Sequence, residues 1–366
     1  MPAATLAQPL GISTPLTSAQ HPVCLFVNEN EITSAVPLES VTLQDSGSAE
    51  RGSLEFDVVD MSLAVALADG AVVRVYSATD DRHLFWGVIA SRKPEVNAIG
   101  RIVHVTAYDI GQVLDKALVV YDSRSAGESD QARIEYFLAY YGGLLNADRS
   151  QIASTNASMP AQVFVGQTLR AAIEQVAAMA SSTTTYFVDN IGRLAYFSSL
   201  GTTAPYAIRI GSPGGGEVSP EDLQIEYDSS NIINAYYVRG ATPAGSSWFT
   251  NPDSIAKYGR RESYIDAPDA DTYAKASQVG LSALADTKDP ITRGSFTQTT
   301  PYDGWRAGQT LTINSAPQFD ISGATTFRIA RVTTTFLSGL GDRRYAVEFG
   351  APGPSMVALG VLPQRN

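Results

Sequence analysis

GAVVRVYSATDDRHLFWGVIA, residues 70–90, is the stretch on which the reading of this chain turns. Two runs rich in β-branched and aromatic residues, Val72 to Tyr76 and Leu84 to Ala90, flank the turn formers Thr79-Asp80-Asp81. Apolar runs of this length with a polar break predict two strands joined by a short turn. Upstream, Leu54, Phe56 and Val58 alternate with Ser53, Glu55 and Asp57, the period of a half-buried strand. Arg101 to Tyr108 continues the pattern downstream. Turn clusters at Asp45-Ser46-Gly47, Asp69-Gly70 and Asn97-Ala98-Ile99-Gly100 separate the runs. Residues 22–120 therefore read as a small antiparallel barrel or sandwich.

A second β region partly repeats the first. Gly70 precedes Val75 by five positions, as Gly308 precedes Ile313, and Ile89 to Val105 spans sixteen positions, as does Ile329 to Tyr345. The stretch between is longer in the second copy. Alternating strands match one another readily, so the spacing alone leaves both duplication and coincidence open. A real duplication would give a trimer six similar surfaces around its axis.

The period changes over 121–212. Ile134, Phe137, Leu138 and Tyr141 share one helix face, with Ser129 or Asp130 as cap and Gly142-Gly143 as terminator. A second helix, about Thr168 to Ala180, carries Leu169, Ile173, Val176 and Ala180. Thr183 to Val188 and Leu194 to Ser198 then form a hairpin across Asp189–Arg193, with Gly192 at the left-handed position. Pro213-Gly214-Gly215-Gly216 reads as a linker. Over 213–350 strands return at Leu223 to Tyr227, Ile232 to Val238, Gly294 to Thr300, Thr310 to Ile313, Thr326 to Phe336 and Arg343 to Phe349. Trp248 to Tyr258 reads as an irregular insertion. A third helix, about Ala270 to Ala285, has Tyr273, Ser277, Gly280, Leu281 and Leu284 on one side and Asp269 and Asp271 at its start. Residues 1–21 read as a flexible arm and 351–366 as a Pro- and Gly-rich tail. The expected fold class is mainly β: two antiparallel barrels flanking a helix-hairpin module.

A hydrophobic share of 44% with 17% charged residues marks a folded chain. No run approaches a membrane-spanning length, and Met1 to Gln20 lacks the pattern of a signal peptide. The net charge of −11 argues against specific nucleic-acid binding, which needs a basic face; it suits a surface that repels DNA and equally the ordinary solubility of a folded chain. Cys24, the single cysteine, rules out an internal disulfide and reads as a buried small residue.

Taken in serial order, these features resemble the hub proteins of phage tail tips and baseplates, related in fold to contractile-phage hubs and type VI secretion spikes. The resemblance runs over about 22–350. Its landmarks are residues 70–90, the exit VTAYDIGQVLDKALV (105–119), the insertion TLRAAIEQVAAMASSTTTYFVDNIGRLAYF (168–197), EYDSSNIINAYYVRGA (226–241) and the closing segments GQTLTI (308–313), TTFRIARVTTTF (325–336) and RRYAVEFG (343–350). It implies two tube-forming barrels around an α+β insertion, and a homotrimer around a central channel. It also implies tail-tube or distal tail protein above, spike or fibre below, and residence in the virion after synthesis in the host cytoplasm. Type VI spike chains carry further domains after the hub. With some sixteen residues after the last expected strand, any spike is expected to be a separate protein.

Chemistry is sparse. His21, His83 and His104 form no metal-ligand spacing, and no Gly-x-Ser-x-Gly elbow occurs. Gly214-Gly215-Gly216 lacks the lysine and helix start of a phosphate loop. The densest acids are Asp80-Asp81, Glu221-Asp222, and Asp266 with Asp269 and Asp271; all lie beside turns or helix starts, where aspartate has ordinary capping roles. The expectation is no catalytic residue, no cofactor and no metal. The rival reading is a tail-tip cell-wall hydrolase or carbohydrate-binding module, for which paired acids would be the catalysts. Trp248-Phe249 and Tyr302-Asp303-Gly304-Trp305 are candidates for stacking on sugars, docking a partner, or local packing.

Overall fold

The computed structural model describes residues 21–46, 52–59, 67–97, 100–143, 145–180, 184–197, 202–268, 270–337 and 342–350. The arm before His21, the tail from Ala351, Gly47, Ala98-Ile99 and Asp269 lie outside these. The chain is mainly β and forms two compact units, one holding the chain up to Asp222 together with Phe296–Phe349, the other Leu223–Ser295.

In the first unit one hydrogen-bonded path runs Glu217–Val218, Ala207–Arg209, Thr310–Ala316, Ile321–Phe336, Thr42–Ser46, Ser53–Val59, Gly100–Asp109, Arg82–Asn97, Val72–Ser77, Val23–Val27, Asn30–Glu31. Strands from the two β regions meet where Arg331 to Thr335 pair antiparallel with Ser46 to Thr42. Among the described strands this path is an extended sheet. The alternation read in the sequence sets its faces: Leu54, Phe56 and Val58 are buried and Glu55 is exposed. With Val73, Val75, Val103, Val105 and Phe336 they fill one apolar core. Cys24 is fully buried against Phe26 and Tyr76.

The suspected repeat has a geometric counterpart. Gly70 N–H donates to Ile89 O at 2.9 Å while Ile89 N–H donates to Ala71 O at 2.9 Å. Gly308 N–H donates to Ile329 O at 2.8 Å while Ile329 N–H donates to Gln309 O at 2.9 Å. The strands that follow keep one register, Val72 opposite Val88 and Thr310 opposite Arg328, then Val75 opposite Phe85 and Ile313 opposite Thr325. Both hairpins begin on a left-handed glycine, φ +81° at Gly70 and +85° at Gly308. A side chain is strained at that angle, which explains why glycine opens each copy.

The helix-hairpin module forms as its pattern predicts. Ser129 Oγ caps Asp130–Tyr141 by accepting from Ala132 N–H at 3.1 Å, and Ile134, Phe137 and Leu138 are buried. Leu169–Ala180 buries Leu169, Ile173 and Val176. Thr185–Val188 pairs with Leu194–Phe197 across a turn whose Gly192 has φ +77°. A two-stranded ribbon that the sequence reading did not separate, Leu118–Arg124 with Gln162–Thr168, completes the module.

In the second unit Ser247–Thr250, Ala235–Gly240 and Glu262–Ala267 form a three-stranded sheet. Helix Tyr273–Thr287 covers one face, where Tyr236, Val238 and Phe249 meet Ala276 and Leu284. Three expectations change here. The segment Trp248 to Tyr258 is regular: a strand, then helix Pro252–Tyr258, capped by Asn251 Oδ1 accepting from Ser254 N–H at 2.8 Å. The third helix starts later, with Thr272 as its cap. Its buried stripe is Ala276, Gly280 and Leu284, while Tyr273 and Leu281 are exposed, because the close approach of Gly280 to Phe249 fixes which side faces the sheet. Asn234, fully buried, holds the sheet's connections: its Nδ2 donates to Gly259 O at 2.8 Å and its Oδ1 accepts from Arg261 N–H at 2.7 Å.

Candidate assembly surface

Most of Val73–Ser77 and Leu84–Gly87 is buried within the chain. Exposure concentrates elsewhere. In the ribbon of the helix-hairpin module, Val119 and Phe164 are fully buried in its core, while the remaining apolar positions are left outside. Leu118 is 53% exposed, Val120 66%, Tyr121 65%, Val163 53% and Val165 62%. Tyr121 lies directly opposite Val165, and Ser123 opposite Val163. Tyr140, also exposed, extends the patch by way of Tyr136 and the Arg124 guanidinium, 3.7 Å from the Tyr136 centroid.

Fully burying an exposed Val or Leu side chain is worth about 1.5–3 kcal/mol, and these residues keep about half or more of their surface in water. Exposed apolar side chains grouped on one ribbon make it a candidate contact surface.

The ribbon is rigidly held from behind. Arg133 has no exposed surface; its Nη2 donates to Ser125 O at 3.1 Å and Pro160 O at 3.0 Å, and its Nη1 to Gln162 Oε1 at 3.2 Å. One buried guanidinium thus ties the end of one ribbon strand to the start of the other. Glu128 supplies the counter-charge, accepting from Arg133 Nε at 3.1 Å and from Arg124. Burial alone would raise the Glu128 pKa, but the two arginines outweigh it and hold the carboxyl below its usual range.

Five of the acids weighed as catalysts have structural partners. Asp80 accepts from Arg343 Nη2 at 2.5 Å and from Ser77 Oγ at 2.8 Å, and Asp81 accepts from Tyr76 Oη. Asp222 accepts from Thr297 N–H at 2.7 Å, Asp266 pairs with Arg239, and Asp271 with Lys275 Nζ at 2.9 Å. Asp269 lies outside the described residues. His104 is exposed and bonded through Nδ1 to Asp57 at 2.6 Å, a pairing that raises its pKa. Among the described residues no cluster of metal-ligating side chains occurs, and no helix is long and apolar enough to cross a membrane.

A cleft in the first unit is lined by Asp45, Arg82, Trp86, Asp109, Trp305 and Arg306, with a volume of about 40 Å³. That holds a water or two and falls well short of the ~300 Å³ of small-molecule sites. Asp109 within it has a pKa raised to about 6, chiefly by burial and further by the nearby charge of Asp45. Trp305 is buried against Phe296 and Tyr206, so it serves local packing, whereas Trp248 is 45% exposed.

No family model and no curated protein matches this sequence. Comparison by structure is more informative. The 43 kDa tail protein of prophage MuSo2 from Shewanella oneidensis superposes with a TM-score of 0.68 at 12% identity, over 91% of this chain and 98% of that one. This chain has a phage tail hub-like fold. The hub-like fold recurs in the tail protein from Neisseria meningitidis, with a TM-score of 0.62 at 14% identity over 94% and 99% of the two chains. It extends beyond phages to an Escherichia coli component of the type VI secretion system, with a TM-score of 0.50 at 12% identity over 90% and 76%. At such identities the shared feature is the order of elements, which is where the sequence resemblance was found.

Proposed function

We propose that this chain is a structural, non-enzymatic subunit of a phage tail tip. Three copies join into a hub ring around the DNA-ejection channel, between the tail tube or distal tail protein above and spike or fibre proteins below. The duplicated hairpin carries the reading. Two hairpins of one register per chain, taken three times, match a sixfold tube with a threefold ring, so similar surfaces meet at each step. The exposed apolar ribbon supplies a surface whose burial favours association. The net charge of −11 suits a lumen through which DNA passes without specific binding. The two β regions act as tube-forming modules that close into a continuous wall only when copies join. The chain is made in the host cytoplasm and resides in the virion.

Reconstruction of the assembled tail tip tests this. Three rotationally related copies lining the channel are expected. A single copy, or copies placed away from the axis, would overturn the proposal.

A further inference from the structure

The second unit carries an aromatic row that a ring-forming role leaves unused. Tyr237 lies opposite Trp248 on one neighbouring strand and opposite Tyr264 on the other. Side chains alternate between the faces of a sheet. Tyr236, Val238 and Phe249 pack under the helix, so Tyr237, Trp248 and Tyr264 occupy the opposite face. The outer rings stand out, Trp248 at 45% and Tyr264 at 56% exposure, with the half-buried Tyr237 between them as a floor. Three adjacent strands at ~4.8 Å spacing make a row about 10 Å across. The Trp248 and Tyr237 centroids are 5.4 Å apart with planes inclined by 54°, a faceted trough rather than one plane.

Charged pairs frame the row. On one side Arg239 donates to Asp266 through Nε at 3.0 Å and Nη2 at 2.5 Å. On the other, Arg260 Nε meets Glu262 Oε1 at 2.5 Å, and the same guanidinium lies 5.1 Å from the Trp248 centroid. The exposed large apolar side chains of this face are aromatic alone, in contrast to the Leu118, Val120, Val163 and Val165 of the ribbon. Aliphatic side chains suit a dry protein contact. Aromatic planes rimmed by oriented donors and acceptors suit a ligand that has apolar faces and hydroxyl edges.

A pyranose ring has that character, and equatorial 1,4-linkages keep successive rings in one flat ribbon able to lie along a sheet. We infer that the Trp248–Tyr237–Tyr264 row binds a β-1,4-linked glycan chain, with ring faces on the aromatics and hydroxyls toward Arg239, Asp266, Arg260 and Glu262.

The molecule contains its own reporter. Of its three tryptophans, Trp86 and Trp305 are buried, so Trp248 is the solvent-exposed fluorophore. Titration of the full chain with chitohexaose and cellohexaose should shift tryptophan emission to the blue and protect it from acrylamide. Maltohexaose, a bent chain, should do neither. By calorimetry, Tyr264→Ala and Arg239→Ala should each weaken binding about tenfold or less, as expected for loss of one stacking or hydrogen-bonding partner. Their far-UV spectra and melting should stay those of the parent, since both side chains face solvent. Unchanged Trp248 emission and quenching with both flat hexaoses at millimolar concentration would overturn the inference. Full-affinity binding by Tyr264→Ala would do the same. So would a Trp248→Ala chain that fails to join tails while the parent ignores sugars, because the row would then dock protein.

Discussion

Arg343 Nη2 meets Asp80 Oδ2 at 2.5 Å, joining the last described strand to a hairpin turn 263 positions earlier. Asp80 sits in the turn of the first hairpin copy, and Arg343 lies on the strand that follows the second copy. Arg343 is 5% exposed and also donates to Ser77 Oγ at 2.8 Å. Burial by itself would raise the Asp80 pKa, but the bonds from Arg343 and Ser77 prevail and hold it below the ordinary range. Removing the cation from a buried pair strands the remaining charge, at a cost of roughly 3–5 kcal/mol. Asp80 is 24% exposed, so Arg343→Met should lie at or just below the low end of that range, about 2–3 kcal/mol in urea unfolding. Because the folded pKa is depressed, the pair's stabilisation is present above the unfolded value near 3.9 and is lost as pH falls through the folded pKa. The variant should therefore lose stability less steeply in acid than the parent. A change under about 0.5 kcal/mol would mean that solvent already screens the pair.

Asp109 gives the opposite sign. Its folded pKa of about 6, raised by burial and then by Asp45, exceeds the unfolded value near 3.9. Between those two values the folded state binds more protons, so this residue's contribution to stability falls as pH rises through the window. Asp109→Asn keeps an acceptor for Gly52 N–H, bonded at 2.6 Å, and removes the charge. The variant should melt higher than the parent above about pH 6 and match it near pH 4. His83, whose pKa burial lowers, pulls the parent the other way, but it is common to both proteins and cancels in the difference. Equal melting at every pH would show that Asp109 titrates normally.

The proposed ring makes the apolar ribbon an association surface. Replacing Tyr121 with Asp and Val165 with Lys puts charge on two cross-strand neighbours that contribute little to the fold. Monomer stability should change by no more than about 0.5 kcal/mol. Incorporation into tails should drop to background in a complementation assay. Tails that accept the doubly charged chain would assign the subunit contact elsewhere.

Gly280 pits helix propensity against packing. Alanine improves a helix interior by about 1 kcal/mol over glycine. A Cβ at this position, however, would lie 2.3 Å from Cδ2 and 2.6 Å from Cγ of Phe249, atoms too near the backbone to swing aside. Overpacking of this kind costs about 1–3 kcal/mol, so Gly280→Ala should destabilise the second unit on balance. A melting temperature above the parent's would mean that the helix can lift from the sheet without penalty.

Much of this protein was legible in one dimension. Alternation at Leu54, Phe56 and Val58 fixed a strand's inner face, because the pleat has period two whatever the partner. Helix spacing at Ile134, Phe137 and Leu138, the Ser129 cap and Gly192 were equally readable, since each acts over a few neighbouring residues. The matched spacings of Gly70–Ile89–Val105 and Gly308–Ile329–Tyr345 raise the duplication, while the register that the two hairpins share is visible only in the backbone bonds. The Asn251 cap of helix Pro252–Tyr258 is present in the sequence, but the apolar pattern that follows it is too weak to mark a helix.

Other features follow only from tertiary structure. The ribbon pairs Tyr121 with Val165 across 44 positions, and the aromatic row gathers Tyr237, Trp248 and Tyr264 from three strands. Periodicity reports how residues alternate within an element, not which elements become neighbours. Which apolar side chains stay in water depends on that pairing, and so the surfaces argued to carry function were decided by the folded chain.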